Sequence, residues 1–256
     1  MGYRAGLVTE NATDAIRVGT LCKAEEVDME SLDTSTIAAE VARLAPQHVG
    51  SLPYKTGCSL LEAFSGTLAT LDLNMLGENV ITLAALPASV DTMRYYLRCA
   101  EGGPLDASME DPLYRAYLWE HAKSRAFVST DKGYIGIAPN SAQEGDVVYA
   151  ILSCWSLIIL RPVESFEYRF QAVGECFLYG LNHGEAVLGT LPAHIRGGYR
   201  YNTDLSVWYQ VYRNVDTDEV SFEDPRLLAL GIHPGFEANE VVPNRVTSEA
   251  LEEEGI

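Results

Sequence analysis

Apolar positions recur at helical spacing through the first half of the chain and at strand spacing through much of the second. After a lead-in of about thirty residues, in which Ile16 to Cys22 alternates apolar with polar or small residues as a half-buried strand does, Ser31 to Leu44 reads as a helix. Ser31, Asp33 or Thr34 can cap it, and Ile37, Val41 and Leu44 share one face. Pro53 to Gly57 breaks the chain. A second helix is predicted over Cys58 to Asn74, burying Leu60, Phe64, Leu68 and Leu71. A third opens at Pro87-Ala88-Ser89, turns Val90, Met93 and Leu97 inward, and stops at Gly102-Gly103-Pro104. Asp111-Pro112 starts a fourth, running to about Lys123 with Leu113, Tyr117 and His121 on one side.

From Arg125 the texture changes to short β-rich runs separated by turn residues. Ala126 to Thr130 and Tyr134 to Ile137 flank Asp131-Lys132-Gly133, a hairpin turn in which glycine can take a positive φ. The apolar run from Val147 to Leu160, interrupted by Ser153 and Ser156, is too short for a membrane helix of ~20 residues and reads as two buried strands. Tyr168 to Phe177 supplies a fifth, and Val207 to Tyr212 a further one. Helices first and strands later point to an α+β fold: a helical region over 1–124, a small antiparallel barrel or sheet over 125–213, and an acidic segment over 214–256 with a disordered tail.

Composition narrows the function classes. Apolar residues make up 47% and charged residues 21%, the balance of a chain that buries a core. Eighteen basic residues against 36 acidic ones give a net charge of -18, which repels nucleic acid and anionic membrane surfaces. Five scattered cysteines with no CxxC pair suit free thiols in a reducing compartment, so a cytoplasmic location is expected. No apolar signal segment follows the first residues, and Gly6 stands where a myristoylation pattern needs Ser or Thr.

No spacing typical of a phosphate loop, a dinucleotide fold or a hydrolase elbow occurs. The histidines (His48, His121, His183, His194, His233) make no HxH or HxxxH pair, so neither a metal nor a cofactor is expected. The densest chemistry lies in Gly174-Glu175-Cys176 and Asn182-His183-Gly184-Glu185, where a thiol, an imidazole and two carboxylates could form a nucleophile and its base. Strand alternation, however, sets Glu175 and Cys176 on opposite faces, which favours Cys176 as a small core residue and Asn182-His183-Gly184 as a turn. Tyr134, Trp155, Phe177, Tyr179, Trp208 and Tyr209 could line a ligand groove, but a sheet core is their more ordinary use.

The run RAFVSTDKGYIGIAPNSAQEGDVVYAIL, followed by LIILRPV and YRFQAVGECFLYGLNHGEAVL, resembles the region downstream of the HET domain in fungal heterokaryon-incompatibility proteins. The matching positions are Thr130, Lys132, Gly133, Tyr134, Gly136 and Pro139 in the first segment and Gly145, Asp146, Leu160, Arg161 and Pro162 in the second. In the third they are Gly174, Glu175, Cys176, Gly180, Gly184, Glu185 and Ala186. Tyr3-Arg4-Ala5 with Val27-Asp28, then Tyr54, Gly57, Phe64 and Thr67-Leu68, and finally Asp216 to Glu219 and Asp224 to Leu227 extend the resemblance along most of the chain. The HET signature itself does not occur in the sequence. The resemblance therefore implies a non-catalytic regulatory or interaction module whose partner is a HET-domain protein in trans. The residues alone leave a second reading, a small-molecule site or enzyme in the β half built on Glu175, Cys176, His183 and Glu185. Within the motif, Arg161 is expected to pair with a carboxylate such as Glu175 at a barrel rim.

Overall fold

The computed structural model describes residues 15–23, 33–68, 86–106, 108, 125–151, 154, 156–163, 169–182, 184–202 and 207–232, with side chains except at 86–89, 198–202 and 207–209. The expected fourth helix, Leu71, His121, His183, Trp155 and the tail lie outside these residues, and so do the Trp208 and Tyr209 side chains. The chain forms two compact units, 1–71 with 86–179 and 72–85 with 180–256.

The first unit is α+β. Its strands β1 (Ile16–Lys23), β2 (Arg125–Thr130), β3 (Ile135–Pro139), β4 (Val147–Tyr149), β5 (Leu157–Pro162) and β6 (Phe170–Leu178) close into a barrel of order β1-β2-β3-β6-β5-β4. Every pairing is antiparallel. β1, expected as a strand within the mainly helical region 1–124, closes the barrel by pairing with β2 on one side and β4 on the other. A six-stranded barrel without it would expose two edges, and closure removes both.

Cross-strand partners share a face, so register separates the inside of the barrel from the outside. Val128, Gly136 and Leu178 form one row across β2, β3 and β6, while Cys22, Phe127, Ile137 and Phe177 form the row on the opposite face. The first row is interior: Val128 and Leu178 are fully buried, as are Ala138 and Ile159. Packing there is tight enough that a Cβ on Gly136 would run into the Phe177 carbonyl oxygen and the Leu178 side chain. Glycine is therefore the residue that lets β3 and β6 approach.

Among the described residues, three helices occur between β1 and β2: α1 (Thr34–Leu44), α2 (Leu60–Leu68) and α3 (Leu86–Ala100). Of the three possible caps, Asp33 is the one used; its carboxylate accepts the Thr36 N–H at 2.7 Å. The predicted apolar faces are buried as expected at Ile37, Val41, Leu44, Leu60, Phe64, Leu68 and Met93, with Val90 and Leu97 at the margin. They form one cluster with Phe127, Ile135 and Ile137 from the barrel's outer face. Phe64 meets Phe127 edge-on at 5.3 Å between ring centroids.

The Tyr54 hydroxyl adds a polar tie between this helical layer and the sheet. The Tyr179 N–H donates to the Ile135 carbonyl at 2.9 Å, so the two residues begin a reciprocal antiparallel pair. The return bond is replaced by Tyr54: the Ile135 N–H donates to its phenol oxygen at 3.1 Å, and the phenol donates to the Tyr179 carbonyl at 3.0 Å. The Tyr54 ring packs edge-on against that of Tyr179 at 5.7 Å. Tyr54 is itself fixed by a turn in which its N–H bonds the Cys58 carbonyl at 2.8 Å.

The second unit contains β7 (Ile195–Asn202), β8 (Val207–Asn214) and β9 (Val220–Ser221) in one antiparallel sheet of order β7-β8-β9. Its described residues also form the short helices α4 (Glu185–Leu188) and α5 (Pro225–Ala229). The sequence gives no signal for β7, which contains Gly197-Gly198, poor strand formers. An eight-pair ladder with β8 supplies the order instead.

Replacing Tyr54 by Phe keeps the packing and strands the Ile135 N–H and the Tyr179 carbonyl. Urea denaturation should show a loss of about 1–3 kcal/mol. Gly136→Ala should cost at least as much, because backbone rather than a flexible side chain blocks the new methyl group; an unchanged midpoint would refute the close approach.

Candidate functional site

The sequence cluster Glu175, Cys176, His183 and Glu185 is not brought together within one described unit. Cys176 and Glu175 lie on β6 and belong to the first unit; Glu185 begins α4 in the second, and His183 lies outside the described residues. Alternation separates the β6 pair as expected: Cys176 is buried beside its cross-strand partner Leu157, and Glu175 is exposed opposite Ile158. Burial pushes the Cys176 thiol up to about 12, only slightly opposed by the charge of Arg125. At neutral pH it is a protonated core thiol rather than a nucleophile.

The motif residues instead assemble at two polar joints, one in each unit. In the first, Asp146 and Arg161 face each other at one end of the barrel. Asp146 shares the interior phase with Val148, and Arg161 shares it with Ile159. The Asp146 side chain is 2% exposed, and Arg161 reaches it bidentately, from Nε at 2.8 Å and from a terminal nitrogen at 2.9 Å. The same terminal nitrogen donates to the Ser141 carbonyl at 2.8 Å, and the Gln143 N–H donates to the carboxylate at 2.8 Å. The Asp146 carbonyl in turn accepts the Val18 N–H at 2.9 Å, while the Gly145 N–H donates to the Val18 carbonyl at 2.8 Å. One aspartate thus connects β1, the β3–β4 connection and β5.

The expected Arg161–Glu175 pair is corrected by this geometry. Arg161 stands opposite Gln171 and Glu175 opposite Ile158, so the two occupy different rungs and different faces. The β5–β6 ladder also carries a bulge between Ile159 and Leu160. Gly174 sits at the bulge with φ 149° and with Pro139 against it; a Cβ there would lie 2.8 Å from the proline Cγ. Asp146, a matching position of the second motif segment, carries the ionic contact.

The remaining first-unit motif positions shape turns and ends. Thr130 caps the β2–β3 hairpin, its hydroxyl accepting the Tyr134 N–H at 2.9 Å. Gly133 and Gly145, like Gly180 and Gly184 in the second unit, hold positive φ angles of 78°, 88°, 84° and 83°. The Lys132 carbonyl accepts the Lys55 ammonium at 2.8 Å, and that ammonium lies 3.4 Å from the centroid of the Tyr134 ring. Pro162 ends β5 opposite Phe170.

The second joint uses the Asp224-Pro225-Arg226-Leu227 motif. Asp224 caps α5, and its carboxylate accepts the Arg226 guanidinium at 2.9 and 2.6 Å and the Tyr212 hydroxyl at 2.7 Å. All three residues are buried. Arg226 also donates to the Gly189 carbonyl at 2.6 Å, beyond the end of α4, so it links α5 to that helix. Burial opposes the Arg226 charge, but the hydrogen bonds and charge of Asp224, with Tyr212 and Glu185, outweigh it and raise its pKa. Burial, then the charge of Asp224, pushes the Tyr212 phenol above its ordinary range. The only sequence signal for Tyr212 in this role is its strand position twelve residues before Asp224.

Among the described residues, no group of three or more His, Cys, Asp or Glu could hold a metal ion, and no helix is long and apolar enough to cross a membrane. Comparison with family models, curated proteins and solved structures finds no match.

Three outcomes follow from this geometry. Arg161→Met should lower the thermal midpoint by several degrees, because it strands a desolvated carboxylate, whereas Glu175→Gln should leave it unchanged; equal effects would contradict the pairing. In the native protein a thiol reagent should label exposed Cys154 readily and Cys176 only after unfolding. An unfolded thiol ionises near 9 and the folded Cys176 near about 12, so the native state holds the extra proton between these values. Stability should therefore fall as pH rises through that window, and Cys176→Ala should flatten the decline measured by urea titration from pH 8 to 11.

Proposed function

We propose that this chain is a non-catalytic interaction or regulatory module, related to the region downstream of the HET domain in fungal heterokaryon-incompatibility proteins. In this reading it engages a HET-domain protein supplied in trans, in self/non-self recognition or the control of cell death. The resemblance supplies the family, and one structural observation supports the non-catalytic part. Several polar and reactive side chains of the motif segments are engaged as joints of the fold: Asp146 with Arg161, Asp224 with Arg226 and Tyr212, and Cys176 as a buried, protonated thiol. A nucleophile or general base needs a free lone pair within reach of substrate, and these groups face one another or the core instead.

The test is a pull-down from fungal extract with the purified, folded chain, read by mass spectrometry. Specific enrichment of a HET-domain protein is the expected result. A well-folded chain that enriches none would overturn the regulatory reading. Thermal-shift screening of small molecules, with Cys176 and Glu185 variants as controls, would then examine the alternative of a site in the β half.

A further inference from the structure

We draw no further inference here: the strongest candidate, the apolar outer face of β4, β5 and β6 around Tyr149, Val163 and Phe170, carries nothing because nothing in the structure shows what covers it.

Discussion

The Asp146 carboxylate is buried at the end of a closed barrel, where an unpaired charge would be too costly to keep. Its two oxygens are answered by a forked guanidinium and a backbone N–H, and its own backbone holds the strand that closes the sheet. Among the described residues, the ladder between β1 and β4 pairs Ile16 with Val148 and Arg17 with Val147. Such a short seam gains little from its own ladder, so the bonds from Val18 to Gly145 and Asp146 extend closure beyond it. Interior packing, the placement of β1 and the course of the β3–β4 connection all depend on that ionic contact being made in full.

The helical layer depends on a contact of the same kind. Tyr54 brings one amphipathic group to a place where two strands have parted by the width of a hydroxyl, and it satisfies a donor and an acceptor at once. The apolar cluster around Phe64 and Met93 provides the bulk of the attraction through burial. That attraction is non-directional, and the phenol bridge fixes where the layer sits. Hydrophobic burial and a few directional polar bonds thus divide the work of cohesion and registration.

Both units place a carboxylate against an arginine and use a further N–H of that arginine on a backbone carbonyl elsewhere: Ser141 in the first, Gly189 in the second. The planar fork of arginine suits this double duty, which a lysine could not perform with the same geometry. This use accounts for the buried carboxylates and arginines of the motif segments.

Periodicity alone located the buried faces of α1 and α2, Met93 on α3, the β2–β3 hairpin, and the two strands within Val147 to Leu160, because alternation and helical spacing are local properties. It also set Cys176 and Glu175 on opposite faces. Partner choice was not local. Whether Arg161 meets Asp146 or Glu175 turns on strand pairing and register, which leave no mark in composition. That β1 closes the barrel across more than a hundred residues, and that Gly197-Gly198 lies within a strand, were decided by ladders with distant segments. The sequence by itself determined which residues seek burial and where the chain can turn. Only the tertiary structure decided which buried charges meet, because a buried charge takes the partner that strand register brings within hydrogen-bond reach.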